Sequence, residues 1–241
     1  MMHDTAMEYG RIFFKTYTSR TSGLKIVDVG AQDVNGSLRT HNISANAYIG
    51  VDFVSGRGVD VVLQDPYELP FEDQSVDVVV CSSCFEHSEF FWELFLDIMR
   101  VLKPTGLFYL NVPSNGGFHR YPVDCWRFYP DSGRALVNWA RRNGMKSALL
   151  ESFTGVQKQD IWNDFVAVFV KDEAHVALYP SRMLDSIKRY SNGLVYGSHE
   201  FQHFEAFPED QRMNPAKRYW KKALRSAVLV QNHMRKRIKS G

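Results

Sequence analysis

"IVDVGAQDVNGS", residues 26–37, decides the fold. The β-branched residues Ile26, Val27 and Val29 surround Asp28 and run into Gly30, the form of a buried first strand opening onto a ligand loop. A pyrophosphate loop calls for Gly-x-Gly-x-x-Gly, because only glycine lets the backbone close on the phosphates. Here Ala31, Gln32, Asp33, Val34 and Asn35 separate Gly30 from the next glycine, Gly36. The loop therefore suits a nucleoside ligand that lacks a pyrophosphate.

Outward from this strand, apolar runs and helical stripes alternate. A leading helix is expected over 4–20, with Met7, Ile12, Phe13 and Tyr17 near helical spacing, and a short helix from Asn35 or Ser37. Strands are expected at 25–29, 47–52 ("AYIGVD"), 59–63 ("VDVVL"), 76–82 ("VDVVVCS"), 107–113, 146–151 and 163–170. Runs with no polar alternation fit strands covered by helices on both faces. Ser88 is the expected cap of a helix whose stripe is Phe91, Leu94, Phe95, Ile98 and Leu102, with Pro104 and Gly106 ending it; another helix is expected over 131–143. The expectation is an α/β chain with a doubly wound, mostly parallel, seven-stranded sheet and its ligand at the carboxyl ends of the strands. The domain spans 1–172, and 173–241 forms a helical, basic extension.

Bulk composition agrees with a globular chain: 241 residues, 44% hydrophobic and 23% charged. No run approaches the ~18 apolar residues of a membrane span, and "MMHDTAMEYGR" has no signal-peptide core. Three cysteines cannot all pair within one chain and suit a reducing compartment, so the expected location is cytoplasmic. Residues 211–241 hold ten Lys or Arg and no acid, so the net charge of +2 conceals an acidic body and a basic tail. Residues 216–238 place Trp220, Leu224, Ala227 and Val230 on one helical face, an expected contact with the chain's own domain, a dimer mate or an anionic membrane.

Asp52 ends the second strand, where a carboxylate accepts hydrogen bonds from both ribose hydroxyls. That leaves NAD, FAD and S-adenosylmethionine open, and the missing glycines favour the last. A longer stretch then adds a resemblance. Residues 59–113 carry Asp65-x-x-x-Leu-Pro-Phe71, Ser75-x-Asp-x-Val79, Phe-Glu-His at 85–87 and "RVLKPTG" at 100–106. In order and spacing they closely resemble the type-11 group of class I S-adenosylmethionine-dependent methyltransferases. The resemblance covers roughly residues 24–170, and it departs where Gln32 and Val34 stand in place of two loop glycines. It implies a Rossmann-like methyltransferase fold with S-adenosylmethionine as cofactor. Asp28, Gly30, Ala31 and Asn35 would lie at the methionine end, Asp52 at the ribose, Asp65 and Pro66 by the adenine, and Ser82 and Ser83 behind the amino-acid end.

Neither Asn/Asp-Pro-Pro-aromatic nor Pro-Cys follows the fourth strand, which speaks against a nucleic-acid acceptor. "CSSC" at 81–84 has zinc-like spacing but lacks an evident set of four ligands, so the expectation is reduced cysteines and no metal. In "GGFHRYPVDCWRFYPDSG" (116–133), aromatic residues interleave with charged ones, as in an acceptor pocket. The segment also resembles one in methyltransferases of glycan or glycolipid assembly, which implies a small-molecule or glycan hydroxyl as acceptor. His119 is then the expected base, Asp124 its orienter and His87 the alternative base, with Tyr121, Trp126 and Arg127 binding the acceptor. The rival readings are a nicotinamide oxidoreductase, disfavoured by the absence of a Tyr-x-x-x-Lys pair, and a non-catalytic binding protein.

Overall fold

A computed structural model describes residues 4–42, 46–159 and 161–206. The chain begins with α1 (Asp4–Phe13), which passes into a π-helical turn at Phe14–Thr18. Phe13, at the end of α1, and Phe14, at the start of the π turn, both enter the core. Then follow β1 (Lys25–Val29), β2 (Ala47–Asp52), β3 (Val61–Val62), β4 (Val76–Ser82), α2 (Phe91–Val101), β5 (Leu102–Pro113), α3 (Ser132–Arg142), β6 (Ala148–Gly155), β7 (Asp164–Val170) and β8 (Tyr190–Val195).

The strands form one eight-stranded sheet in the order β3-β2-β1-β4-β5-β7-β6-β8. The pairs from β3 through β5 are parallel, while β7 and β6 run antiparallel to their neighbours. The order reverses between β1 and β4, and at that switch point the loops leaving adjacent strands diverge and open a crevice. Alternate residues of each strand feed two cores. Val27, Val79, Phe108 and Phe169 pack with Phe95 and Ile98 of α2, while Ile26, Val78, Val80, Tyr109 and Val166 pack with Tyr9 and Phe13 of α1. Burial on both faces is the physical reason for the unbroken aliphatic runs.

Several expected boundaries shift. The short helix after the first loop is a single 3-10 turn, Leu38–His41. Ser88 does not cap α2, which starts at Phe91 without a side-chain cap. The helix ends by passing straight into β5 rather than at Pro104 and Gly106. Arg100 of α2 donates to the carbonyls of Leu69 and Phe71 and pairs with Asp97 and Asp73, fixing the Leu-Pro-Phe turn against the helix.

The domain boundary at 172 is corrected. One compact unit runs to Ala206, because residues 173–206 form two 3-10 turns and β8, an eighth strand added beside β6, rather than a helical extension. Glu151 of β6 anchors this addition. Its buried carboxylate accepts from the Met183 and Leu184 amides at 2.7 and 3.0 Å and from the Tyr17 hydroxyl. The segment 216–238, expected as a basic helix, lies outside the described residues. Among those residues no helix is long and apolar enough to cross a membrane.

Candidate active site

The carboxyl ends of β1, β2 and β4 surround a cavity of about 520 Å³. The loop after β1 is folded tightly against its neighbours. The Gly30 and Ala31 amides both donate to the Val51 carbonyl, and Gly30 has φ +79°. A Cβ at Gly30 would lie 2.6 Å from Cys84 Cβ, so the missing side chain allows this loop to touch the turn after β4. Asp52, at the end of β2, lines the cavity. Its two oxygens accept backbone amides of Gln32 and Val54, each at 3.2 Å, so one carboxylate ties together the loops on either side of it.

Gly30, Asp52, Pro66, Ser82 and Ser83, expected to meet the cofactor, all line the cavity. The Ser82 hydroxyl is buried there without a hydrogen-bond partner. The other expected contacts fall elsewhere. Asp28 is buried away from the lining, where its carboxyl accepts the Tyr48 hydroxyl at 2.7 Å and burial pushes its pKa up to about 7. Ala31 is buried beneath the loop and Asn35 is exposed outside the cavity. Asp65 is also exposed outside it; its carboxylate accepts the Tyr67 amide at 2.8 Å and closes a turn. Sequence reasoning passed over Phe53, Val54 and Leu63, which supply an apolar wall beside Asp52. The signal was present: an exposed aromatic residue directly after a strand-end acid.

The segment after β5 folds as a flap over the other side. It is rooted on the Glu86 carbonyl, which accepts the Cys125 and Trp126 amides at 2.8 and 3.2 Å. Its tip meets the first loop, with the Tyr121 hydroxyl donating to Gln32 Oε1 at 3.0 Å. Arg120, Tyr121, Pro122 and Val123 line the cavity, but Trp126 and Arg127 do not. Trp126 packs edge-on against Phe91 and Trp92. Arg127 clamps Asp124 at 2.6 and 2.9 Å and donates to the Gly117 carbonyl. Both brace the flap from outside the cavity. Burial opposes ionisation of Asp124, yet the Arg127 guanidinium and the His119 amide outweigh it and hold the carboxyl below its ordinary range.

The flap brings together residues far apart in sequence. The His87 and His119 rings stand edge to face, 4.9 Å between centroids. His87 lines the cavity, with Nδ1 bonded to the Val123 carbonyl and a buried Nε2 that has no partner. Burial lowers its pKa below the ordinary imidazole value, against the raising effect of the Val123 carbonyl. His119 sits behind it, outside the lining, with Nδ1 at 3.2 Å from the Gly117 carbonyl and 3.4 Å from Asp124 Oδ2. Asp124 holds His119 more closely through the backbone, accepting its amide at 2.6 Å. Glu86, which sequence reasoning did not single out, is 1% exposed, and burial pushes its carboxyl up to about 8. Cys81, Cys84 and Cys125 are free thiols.

Comparison with known proteins points to methyltransferases. Residues 31–110 match the type-11 family of methyltransferase domains. An uncharacterized methyltransferase of Mycobacterium tuberculosis is 32% identical over 156 residues, covering 58% of this chain and 59% of the relative. Phthiotriol/phenolphthiotriol dimycocerosates methyltransferase 1 of Mycobacterium ulcerans is 32% identical over 111 residues, 39% of this chain and 40% of the relative. The chain thus spans about three fifths of the length of the first of these curated relatives and less of the second. Among solved structures, a Burkholderia thailandensis 1,6-didemethyltoxoflavin-N1-methyltransferase with bound S-adenosylhomocysteine shares the fold, with TM-score 0.54 and 14% identity over 70% of this chain and 80% of that one. The first loop from Ala31 onward, the acid closing β2 and the Phe-Glu-His turn after β4 all fall within residues 31–110, the stretch of this chain that is similar to type-11 methyltransferase domains.

Proposed function

We propose that this chain moves a methyl group from S-adenosylmethionine to a hydroxyl of a small molecule or glycan. One observation carries the reading: a single cavity joins a half built on Asp52 and the first loop to a flap half built on residues 120–123 and His87. The residues present fit the cofactor. Asp52 offers a carboxylate to ribose hydroxyls, and Phe53, Val54, Leu63 and Pro66 offer apolar surface to a flat base. The unpartnered Ser82 hydroxyl offers a hydrogen bond to an amino-acid end. No glycine-rich cradle for a pyrophosphate is needed, which also disfavours a nicotinamide cofactor.

When bound, the cofactor supplies an electrophilic methyl group on a sulfonium. The protein's share is alignment and proton removal. Arg120 and Tyr121 hold the acceptor against the flap, with its hydroxyl directed toward the Glu86, His87 and His119 cluster. Exposed Phe53 and Tyr121 at the cavity suit an acceptor with an apolar portion, and the M. ulcerans relative named for dimycocerosates supports a lipid-linked one. The acid excess of the body gives a polyphosphate chain little to bind, which favours a small acceptor over nucleic acid.

Calorimetry of the full chain with S-adenosylhomocysteine and with NAD tests the cofactor half, and transfer of labelled methyl to alkyl glycosides tests the acceptor half. Binding of NAD with no binding of S-adenosylhomocysteine would overturn the proposal.

A further inference from the structure

Glu86, His87 and His119 each offer a ligand atom, and these atoms lie within 4.8 Å of one another. Within the group, Glu86 Oε1 stands 3.8 Å from His87 Nε2. Two of the polar atoms are anomalous. Glu86 Oε2 and His87 Nε2 are buried and accept nothing from the protein, and Glu86 is 1% exposed. An isolated buried carboxylate and an unpaired ring nitrogen each carry a desolvation penalty, which a shared partner would remove for both. Both rings are also oriented from behind. His87 Nδ1 is held by the Val123 carbonyl, and His119 Nδ1 lies against the Gly117 carbonyl and Asp124. Carbonyl and carboxylate partners of this kind fix a metal-binding imidazole.

We propose that Glu86, His87 and His119 bind one divalent transition cation, such as Mn²⁺, Fe²⁺ or Zn²⁺, at the wall between cofactor cavity and flap. Two imidazoles and one carboxylate suit these ions better than Mg²⁺ or Ca²⁺, which favour oxygen ligands. Bond lengths of about 2.0–2.2 Å place neighbouring ligand atoms roughly 3–3.5 Å apart, so the ion draws the three groups inward by about an ångström. The site replaces the expectation, drawn from the cysteine spacing, of a chain without metal; its ligands come from the Phe-Glu-His turn and the flap rather than from the cysteines.

Because His87 also lines the cavity, the ion borders the place where the acceptor binds. This part rests on the methyltransferase reading above. Three protein ligands leave positions open to the acceptor hydroxyl, which becomes more acidic when its oxygen binds a cation. The hydroxyl proton passes to solvent, an oxygen–carbon bond forms, and the carbon–sulfur bond breaks with its electron pair going to the sulfur.

The test is calorimetry of the full chain, stripped with chelator, against Mn²⁺ and against Zn²⁺. One equivalent should bind, and Glu86→Gln, His87→Ala and His119→Ala should each weaken binding by about tenfold or more, while Cys84→Ala leaves it unchanged. Glu86→Gln keeps the side-chain shape, so its loss of binding is separable from misfolding. Co²⁺ loaded into the stripped protein should give visible absorption bands that His119→Ala removes. Absence of stoichiometric binding, or binding indifferent to all three substitutions, overturns the site. S-adenosylhomocysteine affinity, measured with and without chelator, judges the methyltransferase reading separately. If the metal fails and the cofactor analogue binds, only this inference falls; if the metal binds and the analogue does not, only the other falls.

Discussion

Replacing Asp52 with alanine tests the cofactor site most directly. Its carboxylate would accept two charge-assisted hydrogen bonds from the ribose, and losing them costs about 1.5–3 kcal/mol of binding. At about 1.4 kcal/mol per tenfold, the affinity for S-adenosylhomocysteine falls roughly 10- to 150-fold. The structure adds a second term. The same oxygens accept the Gln32 and Val54 amides at 3.2 Å, and each such bond is worth about 0.5–1.5 kcal/mol of fold stability. Asp52→Ala therefore lowers both affinity and melting temperature. Asp52→Asn, which keeps one acceptor oxygen and places a donor beside an amide, falls between the variant and the parent. Isothermal calorimetry with S-adenosylhomocysteine, paired with thermal unfolding by circular dichroism, separates the two terms. An Asp52→Ala protein that is folded and binds the analogue with unchanged affinity would refute the assignment.

The pKa of Asp28, raised to about 7 by burial, gives stability a pH dependence. Between about pH 4 and 7 the folded state keeps a proton that an unfolded aspartate, with pKa about 3.9, has already lost, so stability falls as pH rises through this window and stays low above it. Asp28→Asn retains an acceptor for the Tyr48 hydroxyl and removes the effect; denaturant titrations should show it gaining on the parent by roughly 2–4 kcal/mol from pH 4 to 8, and a constant difference would exclude this account. A chain ending at residue 206 should unfold cooperatively, whereas one ending at 172 loses β8 and the Met183 and Leu184 amides that satisfy buried Glu151. If the chain ending at 172 gives an equally sharp melt, the compact unit has been drawn too long. Gly30→Ala forces a Cβ to within 2.6 Å of Cys84 Cβ at a positive φ, and overpacking of this kind costs about 1–3 kcal/mol. A melting temperature indistinguishable from the parent's would show that the loop can move aside.

How much was legible depends on how local the cause is. The parallel strands could be read because burial on both faces demands consecutive aliphatic residues, as in Val76–Ser82. Asp52 was legible because a carboxylate at the end of that strand has few other uses. β8 was not: "YSNGLV" lacks such a run, contains Asn192 at φ +52°, and pairs with a named strand on one side only. Asp65 had the right spacing, but an Asp before Pro-Tyr can also close a turn on its own backbone, and here it does. The flap residues carried the right chemistry without a direction. Aromatic spacing could not say that Tyr121 faces the cavity while Trp126 faces α2. Nor could it bring His119 against His87, since that contact exists only once the flap is rooted on the Glu86 carbonyl.

The bond between Tyr121 and Gln32 has a consequence for the order of events in turnover. It joins the first loop to the flap, so on the proposed reading it couples the cofactor side of the cavity to the acceptor side. The bond is exposed and worth only about 0.5–1.5 kcal/mol, so thermal motion breaks it readily. On that reading, breaking the bond would free both sides of the cavity together. A cofactor that settles the first loop thereby settles the docking edge for the second substrate. On that reading the arrangement favours sequential entry, cofactor before acceptor.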